Sequence, residues 1–373
     1  MKIRYIQTGW ILLLVVLVLG LAVTPAGASS RTTQQRAQRL NSTPINATIY
    51  LTTATLAPIF QSRINQRVPA DFNNALMSMV SKLPKADQAW ALQMATALLQ
   101  PSASLTSLIP QQGGLAGTIT LSLYPGDPKA TTSTMLFSFS VADSSTVQVS
   151  AQPLSGPALV TGDVSTFQIP VGQINHVATT PGCGNAALAV NLQFPVTLGQ
   201  ASAQGQQVGL GRSAQPLIAT TKRFPTNTDS STDSYVEIPA SSLASLGSSV
   251  GSLPVSNNLT AQNIRLGVQG SDLLINSDIY SGNFFLGTAV TTAAPTASGG
   301  NIAVHVLSTT LTIFIFTFPY NSYNQQIEQT INKKLNGALA GKFYVNQAAI
   351  GANSHVTCAA KNSLILTGTA SFA

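Results

Sequence analysis

The chain has 373 residues, or 345 once a 28-residue leader is subtracted, enough for about two domains at ~150 residues each. Charged residues make up only 8% of it, against a typical ~25%, while 44% is hydrophobic, which excludes coiled coil, acidic tail and polyelectrolyte disorder. The formal charge of +7 is concentrated near the N-terminus: without Lys2, Arg4, Arg31, Arg36 and Arg39 the body keeps 13 basic and 11 acidic residues and has no Lys/Arg stripe for phosphate, so nucleic acid is not an expected partner.

Lys2 and Arg4 precede the apolar run Ile11–Val23, and Ala26-Gly27-Ala28 supplies a small-x-small cleavage pattern, so residues 1–28 read as a secretory signal peptide. The uncharged stretch Ile6–Ser30 is also nearly long enough to span a bilayer, so an N-terminal membrane anchor is the alternative. Both place the body outside the cytoplasm, secreted or on the extracellular face of the cell membrane. No lipobox cysteine lies near Ala28, and residues 29–44 are a polar stalk rich in Ser, Thr, Gln and Arg. In an oxidising compartment the only two thiols, Cys183 and Cys358, are expected to pair, with two separate buried thiols as the alternative.

From Ile45 the pattern is structured, with an N-terminal helix-pair and β domain over 45–198. A short strand covers Thr48–Leu51. Pro69 is expected to open a helix that presents Phe72, Leu76, Met79, Val80 and Leu83 and stops at Pro84. A second helix presents Trp90, Met94, Ala97 and Leu98 on one face that should pack. Period-two apolar runs then predict strands from Leu115 to Leu123, Met135 to Val141, Val147 to Ala151 and Ala186 to Val196. Residues 199–234 are a low-complexity linker of Gln, Gly, Ser and Thr.

A C-terminal α+β domain over 235–373 opens with Tyr235–Pro239 and a short helix at Ser241–Leu246. Strands follow at Asn263–Val268, Leu273–Ile279, Asn283–Val290 and Ile302–Phe318. A helix carries Ile327, Ile331, Leu335 and Leu339 on one stripe, and strands at His355–Ala359 and Ser363–Thr369 close the chain. This last pair loosely repeats Asn263–Ile279. In Leu311–Phe318 both alternating faces are apolar, so the strand either lies between two layers or lines an apolar cavity with Phe314, Phe316 and Phe318. Ile327, Ile331 and Leu335 are the facing candidates on the helix.

Groups for catalysis are few. Gly247-Ser248-Ser249-Val250-Gly251 matches the G-x-S-x-G nucleophile elbow, but it follows a helical pattern rather than a strand. Thr330-Ile331-Asn332-Lys333 resembles Ser-x-x-Lys, yet Lys333 and Lys334 fall on the polar helix side. His305 reads as a core or rim residue, and His176, His305 and His355 have no metal-ligand spacing. No cofactor cradle is present.

Residues 235–370 resemble the bacterial phospholipid-binding LmeA-like branch of the tubular lipid-binding (TULIP) superfamily. The likeness lies in Val236-Glu237-Ile238-Pro239 before the Leu243–Leu246 helix, in Ile264-Arg265-Leu266 with Leu273-Leu274-Ile275, and in the late amphipathic helix followed by Ser363-Leu364-Ile365-Leu366-Thr367-Gly368. It implies an α+β fold in which twisted antiparallel sheets wrap amphipathic helices around a tunnel for acyl chains, with the N-terminal half a second, diverged unit or an unrelated domain. The expected function is that of an exported, membrane-associated, non-enzymatic protein that binds a lipid or other apolar small molecule at a membrane surface. A structural or adhesive cell-surface protein is the alternative, and a secreted serine hydrolase using Ser249 the third.

Overall fold

The computed structural model describes residues 45–157, 162–169, 172–194, 234–255, 258–321, 324–339 and 343–370. The leader and the polar stalk lie outside the described residues, as does all of the 199–234 linker except Ser234.

The architecture is α+β, with three antiparallel sheets and four helices among the described residues. Strand β1 (Ile45–Thr52) is followed at once by α1 (Thr53–Val80) and α2 (Lys85–Leu98). A five-stranded meander comes next, β2 (Ser102–Gln111), β3 (Gly114–Ser122), β4 (Thr131–Val141), β5 (Thr146–Ser155) and β6 (Gly162–Gln168), and then the hairpin β7 (Gln173–Thr179) and β8 (Ala186–Phe194). The second half restates this order. Strand β9 (Ser234–Pro239) leads into α3 (Ala240–Ser249). A six-stranded meander follows, β10 (Leu253–Pro254), β11 (Leu259–Gln269), β12 (Asp272–Ser281), β13 (Phe284–Ser298), β14 (Asn301–Ile313) and β15 (Phe316–Pro319). Helix α4 (Asn324–Leu339) precedes the hairpin β16 (Phe343–Ile350) and β17 (Ser363–Ala370).

The two halves meet in one sheet of order β16-β17-β9-β1-β8-β7. Its central pair, β1 and β9, is antiparallel with Ile49 opposite Val236, and each half contributes its first strand and its closing hairpin in mirrored order. Strand, helix, meander and hairpin therefore occur twice, related by a pseudo-two-fold through the β1–β9 pair. The repeat unit is half of the described chain, not the short Asn263–Ile279 piece. The largest apolar cluster among the described residues runs through both halves, from Leu56 and Phe60 through Ile49 and Val236 to Leu266 and Val304.

Helix α1 starts sixteen residues before the expected Pro69. Thr52 caps it, its hydroxyl accepting the Thr55 N–H, and Leu56, Phe60, Ile64, Val68, Leu76 and Val80 form its buried stripe at multiples of four. Pro58 and Pro69 lie inside the helix, where each lacks one N–H. Burial of the stripe, with Phe60 stacked on Phe137 at 4.9 Å between ring centres, offsets that loss. The expected packing face of α2 does not pack: the helix has no buried residue, and Trp90, Met94 and Leu98 are 66, 41 and 63% exposed.

The second face of the central sheet is covered by the loops of the two equivalent hairpins. Cys183 in the β7–β8 loop is disulfide-bonded to Cys358 in the β16–β17 loop, with Cα atoms 5.1 Å apart. Residues 355–359, expected as a strand, are turns held here instead, and the missing strand is β16. Gly184, at φ +62°, allows the crossing, because a Cβ there would lie 2.6 Å from the His355 carbonyl oxygen. Beneath the staple, Tyr50 donates its hydroxyl to Glu237 Oε2 at 2.7 Å, and Glu237 Oε1 accepts the Ala360 N–H at 2.7 Å, so both oxygens of this buried carboxylate are partnered. Burial, followed by the hydrogen bond and the charge of Glu237, raises the Tyr50 pKa well above that of a free phenol.

Candidate functional site

The candidate site is a narrow apolar cavity of about 50 Å³ in the second half, between the β10–β15 meander and helices α3 and α4. Its floor is built by strand alternation: Ala261 and Leu266 of β11, Ile275 and Ile279 of β12, Ala289 of β13 and Leu311 of β14 all turn to the helix side. Val250, just after α3, closes one wall, and Ile327 and Ile331, one turn apart on α4, close the roof.

A bulge in β11 aims a further residue inward. The β11–β12 register slips between Gln262 and Arg265, and Asn263 takes φ +51° with its amide donating to Asp278 Oδ2 at 2.8 Å. Ile264 thereby enters the cavity wall, while Asn263, Arg265 and Asp278 line a polar groove outside that shares Ile264 with the cavity. Arg265 lies 3.7 Å from Asp278 in this groove.

Helix α3 can approach this bulge because Gly247 has no side chain. A Cβ there would stand 2.5 Å from the Leu266 backbone nitrogen and 3.0 Å from the Ile264 carbonyl oxygen. The G-x-S-x-G match is thus a helix–strand packing contact. Ser249 lies within α3, is buried, and donates its hydroxyl to the Leu246 carbonyl at 2.6 Å. That is not the exposed strand-to-helix turn a nucleophile elbow requires.

Helix α4 is fastened by a polar ladder that the apolar stripe did not announce. Glu328, Asn332 and Asn336 recur every four residues, and their side-chain oxygens accept the N–H groups of Val306, Val304 and Ile302 at 2.7, 2.7 and 2.8 Å. Four residues of helix rise about 6 Å and two residues of strand about 7 Å, so the two repeats stay in step. The ladder satisfies the edge of β14 beyond the point where β15 stops pairing. Asn324 extends it by accepting the Thr309 hydroxyl at 2.7 Å, and Thr309 also shares a hydrogen bond with Thr291, so this buried hydroxyl beside the cavity is already partnered. The signal was present in the sequence as an i, i+4 row of Asn and Glu next to the isoleucine stripe.

Of the residues expected to line a cavity, Ile327 and Ile331 do so. The side chain of Leu335 lies outside the described residues. The three phenylalanines are placed elsewhere. The run Leu311–Phe318 is not one strand but a hairpin: β14 ends at Ile313, Phe314 and Ile315 form the turn, and β15 returns with Ile313 paired to Phe316. Phe314, Phe316 and Phe318 are 86, 61 and 48% exposed and contribute nothing to the cavity wall. Both faces read as apolar because the hairpin tip is exposed on both, not because it is buried on both.

His305 is likewise exposed at the rim, 3.1 Å from Glu328, and Lys333 is exposed. Among the described residues no group of three or more His, Cys, Asp or Glu could hold a metal, and no helix is long and apolar enough to cross a membrane.

No protein-family model matches the chain, and no curated protein matches it. A solved structure described as P47 of Clostridium botulinum E1 aligns with a TM-score of 0.30 and 7% identity, over 88% of this chain and 100% of that one. Likeness at that level carries no argument about function.

Proposed function

We propose that the protein is an exported, membrane-associated, non-enzymatic carrier of a lipid or other apolar ligand, held between the β10–β15 meander and helix α4. The observation that supports this reading most is the cavity itself: a wall mainly of aliphatic side chains, with Ser277, Thr309, Thr330 and Tyr320 as its polar-bearing members and the buried Thr309 hydroxyl already partnered, roofed by a helix whose fastening to the sheet is polar. A wall so largely apolar, without a charged side chain, favours hydrocarbon over an ion or a sugar. The duplicated strand–helix–meander–hairpin unit supports reading the N-terminal half as a second, diverged unit of the same type as residues 235–370.

At about 50 Å³ the cavity is smaller than the ~150 Å³ that takes a benzene-sized guest. Loading an acyl chain therefore requires α4 to lift from the sheet, breaking the Glu328, Asn332 and Asn336 ladder rather than the apolar floor. The ladder is in this reading the closure of the site.

Native mass spectrometry of the purified protein, with and without organic extraction, tests the proposal. A discrete extra mass that extraction removes, identified as a lipid, is the expected result. A clean apo mass under gentle ionisation, in protein with intact near-ultraviolet circular dichroism, overturns it and leaves the structural or adhesive reading.

A further inference from the structure

We propose that the β14–β15 hairpin tip, with Phe314, Ile315 and Phe316 at its turn, is an insertion element that enters the hydrocarbon of a lipid bilayer. The first observation is exposure. Phe314 and Ile315 are 86 and 85% exposed, and Phe316 is 61% exposed. The β12–β13 turn adds Phe284 and Phe285, 66 and 49% exposed. The two turns share an end of the sheet, since Thr288, four residues after Phe284, pairs with Thr312, two residues before Phe314. A cluster of this kind at one end of a sheet, rather than one scattered apolar residue, marks an interaction surface.

The second observation is the backbone. Phe314 has φ +53°, a conformation that costs a bulky side chain and suits Gly or Asn. A turn built only for folding would place one of those residues here. At this position the sequence accepts both an unfavourable backbone and an aromatic ring in water, and local rules broken together point to a role outside the fold.

The third is charge, which selects the occupant. No Asp, Glu, Lys or Arg occurs between Asp278 and Glu328, so the tip carries no formal charge and no ion need be desolvated on entering hydrocarbon. The exposed residues beside the two turns, Asn283 and Thr317, are polar but uncharged. Continuity with the cavity strengthens the choice: Leu311 and Tyr320 line the cavity, and Ile313, one residue before the tip, packs on the same cluster.

The surface is distinct from the cavity and can fail independently of it. The test uses the full chain with Trp10→Phe and Trp90→Phe, which removes both native tryptophans, and Phe316→Trp as the reporter at an already exposed position. Vesicles of phosphatidylcholine brominated along the acyl chains are added. Emission from the introduced indole is expected to shift to shorter wavelength and to be quenched by the bromines. Adding Phe314→Asn should weaken that response by about tenfold or more while leaving the melting temperature unchanged or higher, because it relieves the turn as it removes the ring.

Unquenched emission from folded protein overturns the proposal. So does a blue shift that depends on protein concentration without vesicles, which would assign the tip to contact between copies of the chain. A melting temperature lowered by Phe314→Asn would mean that the ring packs on its own domain, and would also overturn it. Uptake of a monomeric acyl probe from solution should be the same with and without Phe314→Asn, which separates the tip from the cavity reading.

Discussion

Removing the Cys183–Cys358 bond should lower stability by a large and calculable amount. The bond closes a loop with a sequence separation of 175, and the chain-entropy relation assigns a crosslink of that span about 5 kcal/mol at 25 °C. The loop contains β9, the whole second meander and α4, so the crosslink restrains the unfolded chain across both halves. With an unfolding entropy of ~2.1 cal/mol/K per residue, a chain this long shifts its melting point by only about 1.5 °C per kilocalorie, so Cys183→Ala with Cys358→Ala should melt roughly 7–9 °C below the parent. Alanine keeps Cys183, which is 3% exposed, from introducing an unpartnered polar group. The assay is a circular dichroism melt of both proteins, with and without reductant. Reductant should bring the parent down to the variant and leave the variant unmoved. A difference below about 2 °C would refute the reasoning, since the two hairpin loops would then be held by Tyr50, Tyr235, Val356 and Ile365 without help from the crosslink.

Three further outcomes follow from the same packing. The raised Tyr50 pKa means that its stabilising contribution is fully present below about pH 10, where an unfolded tyrosine begins to ionise, and is lost as pH rises beyond it. The urea midpoint should thus hold level from pH 7 to 9 and fall above 10, and Tyr50→Phe should flatten that fall. Asn332→Ala leaves the buried Val304 N–H without its acceptor and should cost about 1–3 kcal/mol in urea unfolding, while speeding uptake of an acyl probe in stopped-flow measurements. Gly247→Ala forces α3 away from the Leu266 nitrogen and should destabilise by about 1–3 kcal/mol, with no gain for Gly251→Ala, where φ is +73° but space is open.

How much of this was legible from the residues depends on the range of the interaction. Strands β3, β4, β5, β8, β12 and β17 announce themselves in local apolar runs, as does the Ile327–Ile331 stripe. Helix α1 begins sixteen residues before Pro69, a residue type that usually opens a helix, because the buried row from Leu56 to Val68 extends it upstream through two prolines. Strand β16 escaped because its bulge between Val345 and Gln347 breaks the alternation. The pairing of β1 with β9, which unites the halves, joins segments separated by the whole first meander and leaves no local trace. The phenylalanine run misled for a physical reason: doubly apolar alternation is common to a buried strand and an exposed tip, and only the turn at Phe314–Ile315 distinguishes them.

The central claim, that the space under α4 takes hydrocarbon, is tested most directly by titrating a fluorescent fatty-acyl probe into the parent protein and into Ala289→Leu. Ala289 is 7% exposed and lies on the cavity floor, so the larger side chain occupies the space the chain would enter. The expected result is saturable binding by the parent and a loss of about tenfold or more in the variant, with its melting temperature close to the parent's because the added methyl groups fill a void. Equal binding by the two proteins, or no saturable binding by the parent, would contradict the account.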